Sequence, residues 1–260
     1  MRQQNKKSKF VALLLSLLLV CTMMPQLAWA TGGTLTGDGT AKEPYQISDA
    51  ADLKAFRDKV NEGATSIHAK LMDDINLNNE TWTPISNASA IAGAFAGTFD
   101  GNGHTISIPE QDTDNHALKI NASLTFNKAN VVFTNENAEW TVTMSGNGVL
   151  TLDEGSTCII EKHGIYADNY ATINVKGGSK LTVQNTSYTA LMADAGFADL
   201  NIEEGSTVVV DRAYRGDEVP NGINNFKINV VDSTLNVTNC ENQGLVRCEL
   251  TLDKSNAEIS

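Results

Sequence analysis

Positive charge, paired cysteines and long apolar stretches are all in short supply in this chain. Its 260 residues carry 19 Lys and Arg against 31 Asp and Glu, and no segment gathers the bases into a stripe. Without such a stripe a nucleic-acid partner is excluded on electrostatic grounds. The four cysteines include no CxxC pair, so no zinc motif is legible, and no metal or cofactor is expected. One apolar run stands out, Phe10 to Val20, and it is too short to span a bilayer.

That run belongs to a leader. Arg2, Lys6, Lys7 and Lys9 precede it, and Ala28-Trp29-Ala30 follows with the small-x-small pattern of a signal-peptidase site. Val20 stands where a lipidated Cys21 would need a small residue, so residues 1–30 read as a signal peptide cleaved after Ala30. The leader takes four bases and no acid with it, leaving a chain from Thr31 of net charge −16 with no transmembrane segment. Three cysteines remain, Cys158, Cys240 and Cys248; a Cys240–Cys248 bridge is open and spacing alone does not decide it.

The segment SDAADLKAFRDKVNEG predicts a helix near 49–62, with Ser48 or Asp49 as cap, Gly63 as stop, and Leu53, Phe56 and Val60 on one face. Everything after it alternates like strands. From Leu118 onward the alternation repeats. LTLDEGSTCII, INVKGGSKLTV, LNIEEGSTVVV, INVVDSTLNV and LTLDKSNAEI each place an apolar-polar-apolar triplet, a turn ending in Ser and a second triplet. Aligning Ser156, Ser179, Ser206, Ser233 and Ser255 gives intervals of 23, 27, 27 and 22 residues. Leu150, Ile173, Leu200, Ile228 and Leu250 then form one column, and Leu152, Val175, Ile202, Val230 and Leu252 a second. Cys158, Leu181, Val208, Leu235 and Ala257 form a third, in which Cys158 reads as an inert core thiol. The residues between the first two columns are Thr151, Asn174, Asn201, Asn229 and Thr251, polar in every copy. Short third strands are expected at Gly164, Ala190, Gly222 and Gly244. A repeat of 22 to 27 residues with three strands is one coil of a parallel β-solenoid.

GTLTGDGTAKEPYQISDAADLKAFRDKV, AKLMDDINL, WTPI and FAGTFDGNGHTISI together resemble the N-terminal cap of bacterial exported surface proteins with the right-handed, pectate-lyase-like parallel β-helix. The resemblance covers residues 33 to 108. It implies an all-β, right-handed parallel β-helix with a cap over 31–117 that contains the one helix, and coils over 118–260. The family holds adhesins, large surface repeats and polysaccharide-active enzymes. FDGNGHTI reads as a turn in which Gly101 and Gly103 supply positive φ and Asp100 and Asn102 bond their own backbone. As a calcium loop it fails, because Gln111 stands where a bidentate Glu is needed.

Lyases and inverting hydrolases on this fold need carboxylates or a base on an outer strand face. The outward column offers only Thr and Asn, which argues against catalysis there. The turn after the second strand is richer. Its third copy holds Asp211, Arg212, Tyr214, Arg215, Asp217 and Glu218, and stacking would bring His163 and Tyr188 to the same edge, where rings and polar groups could bind glycan. The competing reading is an insertion at a coil corner facing water. Arg215-Gly216-Asp217 also spells an integrin tripeptide, a match short enough to arise by chance. Tyr166, Asp168 and Tyr170 read as a ligand face or as a turn between coils. Five Asn-x-Ser/Thr sequons (from Asn79, Asn87, Asn121, Asn185 and Asn236) read as solenoid composition, with Asn185 and Asn239 suited to left-handed geometry.

The last coil breaks off at KSNAEIS, which reads as the front part of a longer surface protein. The expected function is a non-catalytic, secreted or cell-surface bacterial adhesin or scaffold that binds glycan or host matrix. The alternatives are a polysaccharide lyase or hydrolase using the Asp211–Glu218 edge, and a structural spacer.

Overall fold

The computed structural model describes residues 35–77, 85, 97–108, 116–120, 123–134, 140–168, 170–194, 196–213 and 220–260. The predicted leader, the Trp82–Pro84 part of WTPI and the sequons at Asn79, Asn87 and Asn121 lie outside them. Among the described residues no helix is long and apolar enough to cross a membrane.

The described residues from Leu35 onward form a right-handed parallel β-helix of about seven turns, with one helix among them at its N-terminal end. Three parallel sheets make its walls. Among the described residues the first has nine strands, the second eight and the third six, and strands of successive coils are bonded to one another. Successive strands of one coil run Val149–Asp153, Thr157–Glu161 and Ile165–Ala167 before the next coil opens at Thr172–Val175. We call the bends after them the first, second and third corners.

The aligned columns are the observed register. Leu124, Leu150, Ile173, Leu200, Ile228 and Leu250 pair strand to strand. Val131, Cys158, Leu181, Val208, Leu235 and Ala257 do the same in the second sheet. Between the inward columns Asn201 Nδ2 donates to Asn174 Oδ1 at 3.0 Å, so the outward amides tie neighbouring coils together. The third sheet begins earlier than the sequence pattern showed, with Leu118–Ile120 and Val142–Met144. The strands Tyr45–Ile47, Ala69–Leu71 and Thr98–Asp100 extend the first sheet back towards the helix.

The helix spans Ala50–Asn61. Asp49, the N-cap, accepts from the Asp52 amide (2.8 Å), which satisfies one of the orphan donors of the first turn, and Asp52 reaches back to accept from the Ser48 amide (3.1 Å), just outside the helix. Leu53, Phe56 and Val60 are buried as their spacing predicts. Phe56 meets Phe99 edge-on at 5.7 Å and Phe99 meets Phe126 at 6.0 Å, so the helix joins the core through a file of rings.

The first corner is held by the aligned serines. Each is in contact with the next: the amides of Ser156, Ser179, Ser206 and Ser233 donate to the hydroxyls of Ser179, Ser206, Ser233 and Ser255 at 3.1 to 3.2 Å. Ala129, one coil earlier, donates its amide to Ser156 Oγ at 3.1 Å. The amides of Ser156, Ser179 and Ser206 are shared, since each also donates to the carbonyl three residues back (Asp153, Lys176 and Glu203, 3.1 to 3.2 Å), so the hydroxyls add a link between coils to a turn already closed within each coil.

The Asp-Gly-Asn-Gly turn differs from expectation in one respect. Positive φ falls on Asn102 (49°) and Gly103 (81°), not on Gly101. Gly101 is required for space instead, because a Cβ there would run into the Cα and Cβ of Ala129. Asp100 accepts from the Asn102 amide (2.9 Å) as predicted, while the Asn102 side chain donates to the Leu71 carbonyl (3.2 Å), one coil back.

All three described cysteines are free thiols. Burial pushes the Cys158 thiol from 9.0 up to about 12. Between those values the unfolded chain releases a proton that the folded chain keeps, so this residue's stabilisation is complete below pH 9 and is lost as pH rises towards 12. In the folded protein at pH 8, iodoacetamide should therefore leave Cys158 unmodified by peptide mass mapping until denaturant is added. Modification of native protein at Cys158 would contradict its placement in the core.

Candidate functional site

The second corner gathers the chemistry. At its approach, Glu161, Gln184, Asp211 and Thr238 pair in register on the outward side of the second sheet. Gln184 Nε2 donates to Glu161 Oε1 and Asn239 Nδ2 to Asp211 Oδ1, both at 2.7 Å. The chain then bends through Lys162, Asn185, Arg212 and Asn239, all with positive φ between 53° and 76°. The left-handed geometry assigned to Asn185 and Asn239 is present, and the same bend is made by two bases, which a left-handed position disfavours. Their charged side chains thus mark the corner in alternate coils.

Just past the bend lie four rings. His163 and Tyr188 have centroids 5.6 Å apart, Tyr188 and Trp140 6.1 Å, and Trp140 and Tyr166 5.5 Å. The interplanar angles, 36° to 41°, fan the rings across three successive coils. Trp140 anchors the fan at 8% exposure; the other three are half-buried. Trp140 is fixed at its backbone, where its carbonyl accepts from His116 Nδ1 at 2.7 Å. Its neighbour Thr141 is buried, with its hydroxyl donating to the Glu161 carbonyl at 3.0 Å and its amide to the His163 carbonyl at 2.9 Å. Tyr166 points outward from the third sheet, in register with Thr143 and Met192.

The structure thus brings His163 and Tyr188 into contact and places Asp211 and Arg212 on the same corner, farther along the stack. Tyr214, Arg215 and Asp217, and with them the integrin-like tripeptide and Glu218, lie outside the described residues. Trp140 was not singled out from sequence. Its signal was available: Trp140 stands two residues before the strand Val142–Met144, as His163 stands two before Ile165–Ala167.

Chemically the corner offers stacking surfaces and hydrogen-bonding groups. Its two outward carboxylates, Glu161 and Asp211, sit two coils apart, roughly 10 Å by strand spacing, with Gln184 between them. Each already accepts a short bond from an amide. Among the described residues no three His, Cys, Asp or Glu side chains are grouped to hold a metal ion.

No family model matches the chain. A stretch of 85 residues is 41% identical to halomucin of Haloquadratum walsbyi (strain DSM 16790 / HBSQ001) and covers 29% of this chain. The match spans 1% of halomucin's own length. Among solved structures, the Bacteroides ovatus "putative immunoglobulin A1 protease" pairs with 81% of this chain and 79% of its own, at 14% identity and a TM-score of 0.44. At that similarity the pairing decides nothing about this chain's activity.

Proposed function

We propose that this chain is an exported bacterial surface or secreted scaffold that binds glycan without cleaving it, using the ring fan at the second corner. The observation that carries the reading is the set of four aromatic side chains, Trp140, His163, Tyr166 and Tyr188, brought within about one ring's reach of each other by coil stacking. Sugar rings present C–H faces that lie on aromatic faces, while their hydroxyls take up polar groups such as those of Lys162, Gln184 and Arg212. The separation of the outward carboxylates supports binding over hydrolysis, since Glu161 and Asp211 stand two coils, about 10 Å, apart with Gln184 between them, wider than the spacing of a hydrolytic pair. The negative charge of the chain supports a role outside the cell by keeping an exported solenoid from associating.

The test is titration of the secreted chain with neutral hexasaccharides (cellohexaose, mannohexaose, xylohexaose), read by tryptophan emission with Trp82 replaced by Phe so that Trp140 reports. One of them should shift the emission saturably, with no new reducing ends after prolonged incubation. Tyr188→Ala should weaken that binding by about tenfold with unchanged far-ultraviolet circular dichroism. New reducing ends would replace the scaffold reading with the enzyme one. Silence across all three sugars would leave the spacer.

A further inference from the structure

A second aromatic pair lies on the other edge of the third sheet. At the third corner Tyr170 is 76% exposed and holds φ at 71°. Left-handed backbone recurs at the corners of this solenoid, and among the described non-glycine residues that adopt it Tyr170 is the one aromatic, the others being Asn, Asp, Glu, Lys or Arg. Of the residues in the same column, Asn225 and Arg247 also turn left-handed (61° and 49°), and Asn is the type that tolerates it. The tyrosine's ring is therefore disfavoured twice, by backbone strain and by exposure.

Its neighbour one coil on is Phe197, 38% exposed, whose carbonyl accepts from the Tyr170 amide at 3.3 Å. Lys227 Nζ lies 5.5 Å from the Phe197 centroid. Thr172, Asp199, Lys227 and Glu249 pair in register beside them, so the lysine stands between two acids. Asp168 and Asp194 follow the paired Ala167 and Ala193 on the other side. An anionic polymer meets four carboxylates here (Asp168, Asp194, Asp199 and Glu249) against two bases, Lys227 and Arg247. A neutral sugar finds ring faces to lie on and carboxylates to accept its hydroxyls.

The spacing suits an extended sugar chain. Tyr170 and Phe197 are one coil apart, about 4.8 Å, near the advance of one sugar in an extended chain. The fan at the second corner has the same one-coil step. Between the two edges runs only the three-residue strand Ile165–Ala167, about 10 Å, with Tyr166 and Met192 on its outer face.

We propose that Tyr170 and Phe197 form a second sugar-stacking lane, so that one chain holds two strands of a neutral linear glycan, one along each edge of the third sheet, and bundles them. This rests on the glycan-binding reading of the first lane and adds a second site and a cross-linking activity. The lanes are parallel because both follow the coil stack. Bundling follows because two strands held on one rigid wall cannot drift apart independently.

The test uses the secreted chain, the same three hexasaccharides, and the soluble polymers hydroxyethyl cellulose, glucomannan and arabinoxylan. Calorimetry should count two hexasaccharides per chain, and light scattering of a matching polymer should rise on adding protein. Tyr170→Asn with Phe197→Ser removes both rings from exposed positions, and Asn suits the left-handed backbone, so folding is not at stake. That double variant should bind one hexasaccharide, keep the Trp140 emission shift, and lose at least about tenfold in scattering. Two sites and full scattering in the variant would overturn the second lane, as would one site in the parent protein, while leaving the first lane standing. If no sugar shifts Trp140 or binds by calorimetry, both readings fall together. Salt-sensitive capture of polylysine at Tyr170 in place of sugar would assign the pair to a basic protein partner and overturn the lane.

Discussion

Alanine in place of Gly164 is expected to cost the fold about 3 kcal/mol or more, from the addition of a single methyl group. Gly164 opens the third-sheet strand just past the second corner, where the coil above passes over it. A Cβ built there overlaps the carbonyl oxygen, carbonyl carbon and Cα of Ala190, all backbone atoms with no rotamer to yield. That same Ala190 carbonyl accepts from the Ile165 amide at 2.8 Å, so relief by separation breaks a bond that joins two coils. Gly155 supplies the comparison. It holds φ at +77° with open space where a Cβ would go, so alanine there brings backbone strain alone, about 1 kcal/mol. Urea midpoints of the two variants, at equal slopes, check the difference. Equal midpoints would mean that the coils are not stacked this closely at residue 164.

The second large effect concerns one column at two depths. Leu200 and Leu250 occupy the same inward position two coils apart, yet Leu200 is fully buried and Leu250 is 36% exposed. Leu200→Ala should destabilise by about 3 kcal/mol, the lost transfer energy plus the cavity left between Ile173 and Ile228. Leu250→Ala, facing the open side of the last described coil with Leu252 and Ile259, should cost less than about 1 kcal/mol. Thermal or urea unfolding of the pair reads the contrast. A similar loss in both would show that column position, and not burial, sets the contribution.

Most of the wall was legible because two periods reinforce each other. Alternation every second residue assigns a face, and recurrence of the turn serine assigns a register, so the sequence alone matches Leu150 to Ile173 and Cys158 to Leu181. The helix was legible for the same reason at its own period, with its cap. What stayed hidden depends on contacts between coils. Gly101 and Asn102 exchange roles because free space next to Ala129, a property of the neighbouring coil, decides which of them must lack a side chain. Trp140 escaped notice because its coil carries Ala129 in place of the turn serine, which weakened the alignment that located His163 and Tyr188. Tyr166 and Tyr170 were noticed but not sorted, since sequence alone does not say that one faces outward from a strand and the other holds a strained corner. The ring fan is a property of three coils at once, and no single coil spells it.

The serine file has one more implication. Each link joins an amide of one coil to a hydroxyl of the next, whether the intervening loop makes the interval 22, 23 or 27 residues. The connection is therefore indifferent to coil length and identical at both faces of every coil that has the serine. Such a coil is an interchangeable part: one could be duplicated or removed whole, and the flanking serines would find the same partners. Gene-level growth or shrinkage of this wall by entire coils is thereby made structurally silent at the first corner, and length becomes a trait that selection can adjust without redesigning the joint.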